Sequence, residues 1–220
     1  MSQSNARALL AEALGSALLL AVVAGSGIMA MRLAGGNIAL ALLANAIATG
    51  CGLVVLIMLF GPLSGAHFNP MVSLYFAWRG ELAPRLLPGY IVAQCAGAVL
   101  GIAAAHAMFD LPLISSGVQV RSGGGLWFAE VVASFGLLLC IIGLKRNRPE
   151  AIPYAVGLYI CAAYWFTAST SFANPAATLA RAFTDTFVNI RLLDVPAFML
   201  AQLAGGALAA LLGTWLFGKE

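Results

Sequence analysis

Six stretches of this 220-residue chain are each apolar over about the 20 residues a helix needs to cross a bilayer. They fall at roughly residues 7–30, 38–60, 85–108, 125–144, 152–170 and 195–217. Only 9% of the residues are charged, against about 25% in soluble domains. So few charges cannot cover a water-facing surface, and the lipid bilayer becomes the expected partner of the apolar faces. The first stretch is longer than the apolar core of a signal peptide, and Gly25-Ser26-Gly27 makes a poor cleavage region. It is expected to stay as a spanning helix.

The placement of the charges says more than their net value of +3. With a cytoplasmic N-terminus, the inner side carries Arg7, Arg79, Arg85, Lys145, Arg146, Arg148 and Lys219. The outer side carries Arg32, Arg121, Arg181 and Arg191. The excess favours both termini in the cytoplasm, in a cell (inner) membrane. No basic stripe exists, so no nucleic-acid partner is expected. The four cysteines, Cys51, Cys95, Cys140 and Cys161, fall within apolar stretches without metal-ligand spacing and read as packing residues. No metal and no cofactor is implied. Nothing resembles a nucleophile–base pair or a phosphate loop, so an enzyme is not expected.

The chain reads twice. Ala11-Glu12 answers Ala129-Glu130, Phe68-Asn69-Pro70 answers Ala173-Asn174-Pro175, and Ala93-Gln94 with Gly97 answers Ala201-Gln202 with Gly205. Three spans per copy is an odd number, so the second copy inserts upside down, and inverted repeats place a solute pathway at their interface. The single channel domain, residues 1–220, divides into copies of about 1–124 and 125–220. After Asn69 and Asn174 come apolar runs of about two turns, less than half a membrane at ~1.5 Å per residue. Pro at the first helical position and Asn before it are good helix starters. Both runs therefore read as half-helices that begin deep in the membrane and aim their N-termini at each other. The stretches leading into them are irregular backbone, tolerable at that depth only against protein or a water-filled cavity.

Ser64-Gly65-Ala66-His67-Phe68-Asn69-Pro70 and Asn174-Pro175-Ala176, together with the paired Glu and Gln residues, resemble the aquaporin and aquaglyceroporin (major intrinsic protein) family over nearly the whole chain. The resemblance implies an all-α membrane bundle of six transmembrane helices plus two re-entrant half-helices in two inverted repeats. It also implies a homotetramer with one pore per subunit, passing small neutral solutes. Met71 stands where the family usually has Ala, and it is expected to face packing. The resemblance makes the carbonyls of Gly65, Ala66, His67, Ser171, Phe172 and Ala173 an acceptor ladder along one wall. Glu12, Glu130, Gln94 and Gln202 become supports for the broken loops. On the residues alone, two buried carboxylates also admit a proton relay, as in a coupled transporter. His67 is open to a pH-sensing role or a loop-pinning one.

The constriction is where the chain departs from strict water channels, which carry an Arg three residues past the second Asn. Here that position is Ala177, and counting from the two Asn residues puts Thr49, Ala162 and Ser171 at the remaining positions. All are small, which shifts the resemblance towards wide, bacterial, glycerol- or metalloid-permeable members, including arsenite-associated ones. Arg181 lies one turn past Ala177 and either leans back to the outer mouth or pairs with Asp185. The expected function is a passive channel for water, glycerol-like polyols and neutral metalloid hydroxides, excluding ions and protons. A strict water channel and a proton-coupled transporter are the alternatives.

Overall fold

Apolar helices separated by proline and glycine breaks leave little room for strands. The computed structural model, which describes residues 3–218, is helical throughout with irregular connections. Its α-helices are α1 (Gln3–Leu33), α2 (Ile38–Ser64), α3 (Pro70–Trp78), α4 (Leu87–Met108), α5 (Gly124–Lys145), α6 (Ile152–Phe166), α7 (Pro175–Ala180) and α8 (Val195–Phe217). Lys219, counted above on the inner side, lies outside the described residues. Helices α3 and α7 are the two half-helices, and the other six are the spans. Helix α6 is shorter than the apolar stretch 152–170 implies. It stops at Phe166 after 15 residues, a rise of about 22 Å. The Thr167 hydroxyl donates to the Ala163 carbonyl at 2.7 Å, and the chain turns into irregular backbone.

The packing follows the internal repeat. Helix α1 packs on α2 and α4 as α5 packs on α6 and α8, and α2 meets α6 across the centre. Each half-helix packs on the last helix of both copies, α3 and α7 alike meeting α4 and α8. Between lipid-immersed helices the drive to associate is close packing rather than the hydrophobic effect, so small residues set the approach. A Cβ on Gly97 or Gly101 would overlap the carbonyls of Ala13 or Ala17, and one on Gly205 would overlap that of Val131. Gly206 differs, since it makes room for the Met71 side chain.

Two carboxylates hold the broken loops. Glu12, wholly buried in α1, accepts the backbone N–H groups of His67 at 2.9 Å and Phe68 at 2.7 Å. It also accepts the Ser64 hydroxyl and the Gln94 amide, both at 2.6 Å. Glu130 in α5 does the same work in the second copy, taking the N–H groups of Phe172 and Ala173 at 2.9 Å each and the Gln202 amide at 2.6 Å. Gln94 and Gln202 each give a second bond to a half-helix hydroxyl, Ser73 and Thr178 respectively. The loops need this help because Ala66, Phe68, Ser171 and Ala173 all have φ between 47° and 49°. Such left-handed conformations cost non-glycine residues of order 1–3 kcal/mol each, and hydrogen bonds to a charged acceptor contribute about 1.5–3 kcal/mol each.

Replacing Glu130 by Gln keeps the shape but removes the charge and one acceptor. Glu130→Gln is expected to destabilise the protein by about 2 kcal/mol and to lower solute flux at every pH. Thermal unfolding in detergent and vesicle swelling check this. A variant of unchanged stability that loses only a pH dependence of transport would make Glu130 a proton relay instead.

Candidate functional site

The two half-helix starts meet inside the bundle. Asn69 and Asn174 both sit in extended backbone immediately before a proline, and each side-chain oxygen caps its own half-helix. The Asn69 oxygen accepts the Met71 N–H at 3.0 Å. The Asn174 oxygen accepts those of Ala176 at 2.9 Å and Ala177 at 3.2 Å. The side-chain nitrogens reach across instead: Asn69 donates to the Ala173 carbonyl and Asn174 to the Phe68 carbonyl, both at 2.8 Å. A primary amide has two N–H donors, so each asparagine keeps one for the cavity that both of them line. Pro70, Met71, Pro175 and Ala176 are buried behind them and form the first turns of α3 and α7.

That cavity encloses about 150 Å³ and has two unlike walls. One is the backbone of the broken loops, where Gly65, Ala66, His67, Ser171, Phe172 and Ala173 line it. The other is apolar, built from α1, α2, α5 and α6. Helix α6 supplies a stripe at every fourth residue: Ile152, Val156, Ile160 and Tyr164. His67 is fixed at the loop wall, with Nδ1 at 3.0 Å from the Ser73 hydroxyl and its ring stacked on Phe76 at 4.6 Å.

At one end of the cavity lie Thr49, Tyr164, Ser171, Ala177 and Arg181. Ala162 is not among them and is corrected: it sits on the exposed outer face of α6, two residues and about 200° from Tyr164. The count back from Asn174 crosses residues 167–173, which are not helical, so the register slips by two. Tyr164 brings its hydroxyl to 3.4 Å from the Thr49 hydroxyl. Of the four small residues expected together, Thr49, Ser171 and Ala177 line the cavity, and Tyr164, an aromatic, lines it in place of Ala162. The cysteines are not buried either: Cys51 is exposed and the other three half-buried at helix surfaces.

Of the two alternatives for Arg181, the leaning-back one describes its geometry. It is 3% exposed, its guanidinium carbon lies 3.3 Å above the Phe172 ring, and Nε donates to the Val188 carbonyl. Asp185 points elsewhere and accepts the Ser115 hydroxyl at 2.9 Å. The second arginine at this end, Arg121, escaped the sequence reading. Its guanidinium carbon is 4.9 Å from the same ring. It donates to the carbonyls of Asn189 at 2.8 Å and Ser169 at 3.2 Å. Burial pulls the Arg121 guanidinium down to about 10, so it stays charged at neutral pH. Arg121 thus clamps the segment whose Val188 carbonyl holds Arg181. Little in the local sequence marks it, because the carbonyls it ties lie 48 and 68 residues away and only Gln119 is a near neighbour.

Comparisons with known proteins agree with this architecture. The family model for the major intrinsic proteins matches residues 1–163. The chain is 56% identical over 210 residues to the aquaglyceroporin AqpS of Rhizobium meliloti (strain 1021), covering 96% of this chain and 90% of that protein. It is 31% identical to the lens fiber major intrinsic protein of Gallus gallus, over 96% of this chain and 81% of that one. The X-ray structure of the aquaglyceroporin from Plasmodium falciparum superposes with a TM-score of 0.74 at 20% identity, covering 97% of this chain and 95% of that one, and so shares its fold. The chain belongs to the major intrinsic protein family, and it is a multi-pass membrane channel for small uncharged solutes, not an enzyme.

Proposed function

We propose that the cavity passes water, glycerol-sized polyols and neutral metalloid hydroxides such as arsenous acid down their gradients, and holds back ions and protons. The observation that carries this reading is the commitment of the two asparagines. Each gives one amide N–H to the opposite loop and keeps one for a solute oxygen at the midplane. A hydroxyl there finds carbonyl acceptors on one side and apolar side chains on the other, which suits a molecule with one polar and one apolar face. The N-termini of α3 and α7 each bring about half a positive charge to the same place, a field that opposes cations while leaving neutral molecules unaffected.

Thr49, Tyr164, Ser171, Ala177 and Arg181 form the selectivity ring in this reading. Arg181 supplies from one turn further out the donors that an Arg at 177 would supply. Its burial over Phe172 and the bond from Nε to the Val188 carbonyl hold it at the outer mouth. The high identity to a protein described as an aquaglyceroporin supports polyols among the solutes. Tyr164 and Arg181 also favour a narrower, strict water channel as the second reading. Glu12 and Glu130 have both oxygens engaged by loop and glutamine donors, which supports a scaffold over a proton relay. The protein assembles as a homotetramer in the cell (inner) membrane with both termini cytoplasmic. The grouping of Arg79, Arg85, Lys145, Arg146 and Arg148 beyond the ends of the spans supports that orientation.

Swelling of vesicles containing the pure protein, in gradients of water, glycerol, urea and arsenite, tests the solute range. Vesicles that pass water but exclude glycerol would establish the strict water channel instead. Ala177→Arg is expected to crowd the ring beside Arg181, cutting glycerol and arsenite flux about tenfold, equivalent to about 1.4 kcal/mol on the barrier, with a smaller loss of water flux. Asn174→Asp puts a negative charge between the half-helix starts and is expected to raise cation leak. Planar-bilayer conductance equal to that of the unaltered protein, from a variant that assembles normally, would remove the asparagines from ion exclusion.

A further inference from the structure

The two half-helices are not equally covered. No residue of α7 is exposed, because α4 closes over it. Its counterpart α3 lines a surface groove with Met71, Leu74, Tyr75 and Trp78, the i, i+3, i+4, i+7 stripe of one helix face, with Met71 and Tyr75 buried beneath it. Leu74 is 39% and Trp78 58% exposed. Met71 packs against Gly206 of α8, and beside it the small side chains of Ala207 and Ala210 leave a groove of about 350 Å³ with almost wholly apolar walls. Met71, at the floor of the groove, is two residues from Asn69 and receives its cap.

The groove runs on at Tyr75 into a crevice lined by Arg79, Arg146, Thr214 and Phe217. The helices that wall it end together there: Arg79 is the C-cap of α3 and Arg146 that of α5, and Arg146 reaches the carbonyl of Phe217, the last residue of α8, at 3.4 Å. An apolar slot open to the membrane, finished at one end by two guanidinium groups, has the chemistry of a phospholipid with a net negative charge. Basic pockets between transmembrane helices are suited to anionic headgroups, and guanidinium binds phosphate through paired N–H donors.

We infer that this face binds one anionic phospholipid, with an acyl chain in the groove against α3 and the phosphate at Arg146. The chain supplies for the first half-helix the cover that α4 supplies for the second. Lys145 contributes less, because Glu81 pairs with it at 2.5 Å.

The test uses the purified full-length protein, delipidated in detergent and titrated with dioleoyl-phosphatidylglycerol or dioleoyl-phosphatidylcholine, with bound lipid counted by native mass spectrometry. Phosphatidylglycerol is expected to be retained at least about fivefold better, the effect of roughly one basic residue at a membrane surface. Arg146→Gln should narrow that preference by about fivefold. Ala207→Phe fills the groove without touching the channel cavity and should abolish retention of both lipids. A single size-exclusion peak is the control for folding, and Ala210→Leu replaces Ala207→Phe if that variant fails it. Equal retention of the two lipids by the unaltered protein, or retention unmoved by either substitution, overturns the inference. So does a groove-filling variant that changes the number of subunits and not the bound lipid, since the groove would then be an interface between copies.

Discussion

Two buried carboxylates make this fold possible. A chain that breaks its helices halfway through a membrane exposes backbone N–H groups where no water can satisfy them. Glu12 and Glu130 take up four of those groups, two from each broken loop. The loop residues held in this way, Gly65 to His67 and Ser171 to Ala173, line the cavity. The left-handed residues at Ala66, Phe68, Ser171 and Ala173 are the local cost of that arrangement. One set of interactions thus fixes the half-helices, the loop conformation and the polar wall together.

The two copies of the repeat are joined by more than packing. The amide of each asparagine is divided between them, its oxygen on its own half-helix and its nitrogen on the other loop. This sets the separation of the two helix starts by hydrogen-bond length, a far stiffer control than side-chain packing. The outer end is held differently. There Phe172 serves as a platform for two guanidinium groups, and Arg121 ties the surrounding carbonyls in place. Midplane and mouth are therefore governed by separate sets of residues, so each can change without the other.

What the sequence discloses follows from how local its causes are. The half-helices are legible because Asn-Pro is a start signal carried by adjacent residues, and the glutamates because a carboxylate inside an apolar run needs a partner. Gly97 and Gly205 are legible as a match between the two copies, whereas the role of Gly206 depends on the uncommon Met71. Tyr164 was hidden because positions counted along a chain keep helical register only while the chain is helical, and residues 167–173 are not. The short sixth span has the same origin: Thr167 to Thr170 are apolar enough in context to extend a hydropathy window, yet they belong to the loop. Arg181 was visible as a residue one turn from Ala177, but which way it turns depends on Val188 and Phe172, on different segments.

The asparagine cross-ties have a consequence for how the protein is made. The two partners of one such bond, Asn69 and Ala173, are 104 residues apart in the sequence, and those of the other, Asn174 and Phe68, are 106 apart. The ribosome delivers the chain from its N-terminus, so the first loop reaches the membrane with an asparagine donor and a carbonyl that have nothing to bond. Both stay unfinished until α5, α6 and the second loop have been synthesised and inserted. The first three spans therefore cannot complete the site alone, and both cross-ties depend on the second loop.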